Sequence, residues 1–201
     1  MTALSLPATA VPNAVDPYLV DFGGVLTPFL GGPSQRINRL GMRMAGRFSL
    51  PPKLYGTQGR VIVTQLMRAK AGTLIMPWPQ PGLTIGSEGT PKVKVAVSGG
   101  TSLQIKGLPA SKALVHGQYL SIVKAATGIR CLHALTADAT ANGSGDVTVS
   151  VWPPMRTSFA VNDVIEIAAP KIEGHVQVDE LGWSISVDKM TAIAFTLVEA
   201  K

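Results

Sequence analysis

His116, His133, His175 and Cys131 are the residues of this chain best suited to hold a metal or to act as nucleophile and base. Their spacing supports neither use. A zinc site needs ligands in close, repeated pairs, and only Cys131 and His133 come near each other. Two apart on a strand, they share a face as an ordinary half-buried pair. No Gly-x-Ser-x-Gly elbow presents a serine, and no glycine-rich turn closed by Gly-Lys-Ser/Thr could cradle a phosphate. Asp21-Phe22-Gly23 spells the magnesium-binding triplet of protein kinases, but the other kinase elements are missing. Asp16 and Asp21, the early carboxylates, have no visible partner for acid–base work. From these residues no catalytic site and no metal-ligand spacing is read.

Two other sets of residues could make contacts rather than reactions. Trp78, Trp152 and Trp183 could form a stacking platform for bases or sugars, but such platforms interleave several aromatics with cations on one sheet face. Only 5% of the residues are aromatic, and packing is the expected role of all three. The second set is basic. Between Phe22 and Ser87 there is no acidic residue, and the same stretch holds Arg36, Arg39, Arg43, Arg47, Lys53, Arg60, Arg68 and Lys70. From Glu88 onward ten basic residues face ten acidic ones, so the net charge of +6 belongs to the front half. Such a surface suits an acidic partner, nucleic acid included. It equally suits pairing with carboxylates of the back half or of adjacent subunits, and that is the reading adopted.

The elements that must carry these residues are mostly strands. Of 201 residues 46% are hydrophobic and 15% charged, with 21 Gly and 15 Pro, a balance that fits a turn-rich β protein. One cysteine allows no internal disulfide. The first residues lack the pattern of a signal peptide, and no apolar run nears the ~18 residues of a membrane span; synthesis in the cytoplasm and a soluble product are expected. Residues 1–17 read as an arm ordered only by a binding partner, followed by a short strand near Tyr18 to Phe22 and a turn at Gly31-Gly32-Pro33. From Arg39 to Leu50, Leu40, Met42 and Met44 alternate with Arg39, Arg43 and Arg47. Period two therefore predicts a strand with an apolar and an arginine face, ended by Pro51-Pro52. Leu54 to Ala71 reads as the one good helix, with Ile62 and Leu66, and Val63 and Met67, at four-residue spacing. Gly72 stops it. Pro77 to Pro91 is a crossing.

The back half is strand after strand: Val93 to Val97, Leu103 to Ile105, Tyr119 to Val123, Ile129 to Leu135, Val147 to Val151 and Val164 to Ile167. Five or six short strands in about 75 residues make a small Greek-key barrel. Beyond Pro170 the pattern predicts a hairpin, His175 to Val178 with Trp183 to Val187, and a last strand, Thr191 to Val198.

In this order the chain resembles the distal tail proteins of long, flexible-tailed bacteriophages, of the compact type that carries an OB-like barrel. The resemblance rests on the helix Tyr55 to Gly72 with its following strand and crossing. It rests also on the barrel segments at Gly99–Ile105, His116–Ile122, Gly143–Val149 and Val151–Arg156, and on the return segment Pro170 to Val178 with Trp183 to Glu199. It implies a β-rich ring-forming domain with one helix at 1–87 and 169–201, and an inserted OB-like barrel at 88–168 that projects outward. It further implies a hexameric ring in the virion tail tip of a phage or prophage. That ring would join the tail tube protein to the baseplate hub protein, with tape measure or fibre proteins as further neighbours. No enzymatic activity, cofactor, membrane or specific nucleic-acid binding goes with it. A ring needs heterologous contacts. Arg39, Arg43 and Arg47, facing Asp179, Glu180 or Asp188 of a neighbour, are the candidate interface, because the arginine fork binds carboxylates bidentately. The alternative is an OB-type module for single-stranded nucleic acid or a host-surface glycan. It would require tryptophans and arginines on one exposed barrel face.

Overall fold

A computed structural model describes residues 3–37, 39, 41–84, 86–177, 183–185 and 189–200, the last but one of these segments by its backbone alone. In chain order the front half holds β1 (Ala3–Ser5), β2 (Ala14–Val20), β3 (Gly24–Leu26), β4 (Gln35–Ile37), β5 (Arg43–Leu54), a π-helical turn at Tyr55–Gly59, α1 (Arg60–Ala69) and β6 (Thr73–Pro77). The next segment holds β7 (Lys92–Val93), β8 (Gly100–Lys106), β9 (Ala113–Leu114), β10 (Tyr119–Val123), β11 (Arg130–Leu135), β12 (Ala139–Thr140), β13 (Val147–Met155) and β14 (Val164–Glu166). The chain returns through β15 (Lys171–Gln177), β16 (Trp183–Ile185) and β17 (Met190–Glu199).

The fold is mainly β, with a closed barrel inserted in a sheet. Among the described residues the sheet runs β1-β6-β15-β17-β5-β2, with β16 also bonded to β17. The barrel runs β10-β11-β13-β8-β7-β14 and closes on β10, every pair antiparallel. β8 bonds to β13 rather than to its sequence neighbour β10, which makes the path a Greek key. The five-stranded OB barrel is partly open; here β14 slots between β7 and β10 and closes the wall. All six predicted barrel strands are present. The glycines that bound them turn where they must: Gly107 and Gly145 have positive φ, and a Cβ on either would strike backbone, of Thr90 and Leu108 respectively.

Three local expectations are corrected. The segment read as an arm supplies β1, parallel to β6, and the first half of β2, antiparallel to β5; the strand predicted near Tyr18 to Phe22 is the end of β2, which begins four residues earlier, at Ala14. Pro51-Pro52 does not end its strand. β5 continues to Leu54, and the prolines fall in a bulge where the register against β17 shifts, so no ladder donor is needed. The same strand starts at Arg43, leaving Arg39 in the preceding loop. Finally, of the predicted hairpin, Val178, Val187 and the turn between its strands lie outside the described residues; among the described ones β15 and β16 each bond to β17.

Two apolar cores result. Helix α1 lays Ile62, Val63, Leu66 and Ala69 on the sheet, where Phe48, Leu74, Met76, Trp78, Phe195 and Leu197 are buried. Met67 faces out, so the helix stripe follows the i, i+1, i+4, i+7 pattern instead of pairing Val63 with Met67. The barrel interior is filled by Leu103, Ile105, Leu120, Ile122, Val149, Val151 and Phe159 among others.

Candidate assembly surface and the barrel joint

The barrel is fused to the sheet, and β11 shows how. Cys131, His133 and Leu135 face the barrel interior, whereas Leu132, from the opposite face, belongs to the sheet core. Both faces of this strand are therefore dry, and its backbone and flanking charges meet carboxylates from the sheet. The Leu132 N–H donates to Glu199 Oε1 (2.8 Å), the Met44 N–H to Glu199 Oε2 (3.3 Å) and Arg156 Nη2 to the same oxygen (2.6 Å). One side chain on β17 thus holds β5 of the sheet, β11 of the barrel and Arg156, the residue just after β13. Beside it, Glu173 accepts from Thr73 Oγ1 (2.8 Å) and from the Arg130 N–H (3.1 Å). Glu166 accepts from Ser121 Oγ (2.8 Å) and pairs with Lys171 Nζ (2.8 Å) and Arg130 Nε (3.4 Å). In the crossing, Gln80 accepts from the Tyr119 N–H (2.7 Å) and donates to the Ile167 carbonyl (2.9 Å), clamping both ends of the barrel.

Burial and charge set the titration of these groups. Burial pushes the Glu199 carboxyl up to about 7, against the pull of Arg156, the Leu132 and Met44 amides and Arg43. For Glu166, burial raises the carboxyl, but the bonds from Lys171 and Ser121 and the charge of Arg130 outweigh it and hold it below its ordinary value. Burial pushes the Cys131 thiol up to about 12, helped by Glu199, so the thiol is inert at neutral pH. The His133 imidazole is pulled down to about 4 by burial, against its bond to the Pro153 carbonyl and with Arg156 adding to the fall. Because Pro153 O can only accept, Nδ1 carries the proton (2.8 Å) and neutral Nε2 is left bare in the barrel wall.

His133 and Glu199 bend stability with pH in opposite senses. The histidine titrates near 6.5 unfolded and about 4 folded, so the unfolded chain takes its proton first and stability falls as pH drops from 6.5 toward 4. Glu199 titrates near 4.5 unfolded and about 7 folded, so the folded chain binds the proton more tightly and stability rises as pH drops from 7 to 4.5. Each shift amounts to roughly 3 kcal/mol, and between pH 5 and 6.5 they nearly cancel. In His133→Asn, which keeps a donor near Pro153 O, only the Glu199 slope should remain. Thermal melts should then show the variant gaining stability from pH 7 to pH 5 where the wild type stays flat; parallel profiles would refute the assignment.

The predicted interface residues separate. Arg43 and Arg47 lie on the outward face of β5, as alternation requires. Arg43 sits over the Phe22 ring (5.1 Å to its centre) and donates to the Glu199 carbonyl (3.3 Å). Arg47 lies over Tyr18 (5.9 Å), with Asp16 opposite it in register. Arg39 is exposed in its loop. Asp179, Glu180 and Asp188 lie outside the described residues. Of the tryptophans, Trp78 is buried in the joint, Trp152 is half exposed on β13, and the Trp183 side chain lies outside the description. Arg39, Arg43 and Arg47 stand in the front half, apart from the barrel strand that carries Trp152.

Sequence reasoning missed the most exposed element. β3 and β4 form a two-stranded ribbon that prolongs β2 and β5 past the sheet, and all six of its strand residues are exposed. Its loop contains the predicted Gly31-Gly32-Pro33 turn and lifts Phe29 and Leu30 entirely into solvent. A cluster of Val25, Leu26, Phe29 and Leu30 around Thr27-Pro28 was the available signal. No protein-family model matches this chain, and no curated protein matches it either.

Proposed function

We propose that this chain is a structural subunit of a phage or prophage tail tip, closing into a hexameric ring that joins the tail tube to the baseplate hub. The observation that carries the reading is the apolar ribbon standing off a sheet whose two outer strands, β1 and β2, are each bonded on one side only among the described residues. Unpaired edges and an exposed apolar arm are liabilities in a lone subunit and assets in an assembly. The fused barrel supports the same reading, since a barrel tied down by buried carboxylates transmits force to the sheet instead of swinging on a tether. The separation of Trp152 from Arg39, Arg43 and Arg47 weighs against a stacking site for bases.

Native mass spectrometry and negative-stain imaging of the purified protein test this. Rings of six, forming as concentration rises, are expected. Arg39→Glu, at a position exposed in its loop, should weaken their assembly severalfold without changing the melting temperature, as exposed charges do at interfaces. Monomers at every concentration, or a closed two-fold dimer, would overturn the reading.

A further inference from the structure

A two-stranded ribbon alone is marginal in water, and this one is wet on both faces. Phe29 and Leu30 are 101% and 94% exposed, and an aromatic side chain in that state shows roughly 150–250 Å². Phe22, Val25, Leu26 and Ile37 add to them at between 40% and 60% exposure. Phe29 and Leu30 with the neighbours on their side of the ribbon expose apolar area on the scale of the roughly 300–600 Å² of the largest apolar patch on an ordinary monomer. From Gly24 to Gln35 the ribbon has no charged residue, and Arg36 at its base is neutralised by Asp21 (2.7 Å). A nucleic acid or anionic lipid would need cations at the contact; this tip offers none.

The opposite edge of the sheet has the complementary shape. The ribbon rises from the β2–β5 end of the strand order, and at the β1–β6 end lies an apolar cleft of about 390 Å³. Leu6, Ala8, Val11 and Met76 line it together with Arg130 and Lys171, two cations that pair with Glu166. A projection at one edge and a recess at the other are two different surfaces, the requirement for a head-to-tail contact that closes a ring.

We propose that Phe29 and Leu30 of one copy seat in the β1–β6 cleft of the next copy. The proposal rests on the ring reading and names its contact. The arm variant Phe29→Asp, Leu30→Asp and the cleft variant Ala8→Arg, Val11→Arg change exposed positions, so melting temperature and circular dichroism should match wild type. Each alone should associate roughly a hundredfold or more weakly, the loss expected from withdrawing two large apolar side chains. Mixed in equal amounts they should form dimers and nothing larger, because one intact arm meets one intact cleft and both other surfaces are spoiled. Full rings from the arm variant would refute this contact while leaving the ring itself standing. No dimer in the mixture would point to arm-on-arm pairing and refute it too. A wild type that stays monomeric would remove contact and ring together, and flotation of that monomer with anionic vesicles, lost in the arm variant, would assign the arm to lipid.

Discussion

Glu199→Ala should lower the free energy of unfolding by about 3–5 kcal/mol, the loss typical when one partner of a buried ion pair is withdrawn. The reason lies in what remains. Glu199 is 1% exposed and Arg156 11%, so alanine leaves a mostly buried guanidinium without its carboxylate and strips the acceptor from the Leu132 and Met44 amides. Glu199→Gln should lose less, since its amide oxygen keeps one acceptor. The paired replacement Glu199→Leu with Arg156→Met should recover most of the loss, because two desolvated charges then disappear together. Urea unfolding of wild type, Glu199→Leu, Arg156→Met and the double variant measures this cycle. If the double variant is as unstable as the two single changes summed, the pair is not coupled and the joint is held by packing alone.

Trp78→Ala should cost a similar amount, about 3–5 kcal/mol. Trp78 touches Phe48 edge-on (6.2 Å between ring centres) and Tyr119 in the same manner (5.5 Å), while Phe48 stacks on Phe195 (5.6 Å). This file of rings runs from β17 through β5 and the crossing to the first residue of β10, from the sheet core to the barrel wall. Gly46 makes room for it: a Cβ there would stand 3.1 Å from the indole. Since the tryptophan belongs to both bodies, its loss should also uncouple them. Calorimetry should show one transition in wild type and two in Trp78→Ala, with Trp78→Phe between. A single transition at lowered temperature would mean that the carboxylates alone keep barrel and sheet cooperative.

The sequence made the barrel legible because its strands are short, alternate cleanly and are punctuated by glycines that the backbone needs. β17 and the apolar side of β5 were legible for the same reason. What escaped has physical causes. β1 and the first half of β2 are edge segments without alternation, so only their partners define them. Pro51-Pro52 reads as a stop unless the bulge opposite β17 is known. The joint is assembled from Glu166, Glu173, Glu199, Arg130 and Arg156, charges far apart in the chain whose convergence no local pattern records. The arginines of β5 were correctly set on one face, but Arg43 spends its guanidinium on Phe22 and the Glu199 carbonyl. The interface candidate shifts accordingly from a charged strand to the apolar ribbon beside it.

The pairing of Lys92 with Val164 puts the first and last strands of the barrel side by side. To the rest of the chain, a folded barrel is then a hinge pin of almost no length. It shortens the gap between β6 and β15 about fivefold, and removes about 1.4 kcal/mol of loop-closure entropy from their pairing. Neighbouring strands of the sheet that are far apart along the polypeptide become local once this insert has formed. Folding should therefore proceed from the inside of the sequence outward, barrel first, with β15 and β17 zipping onto a front half that has been waiting for them.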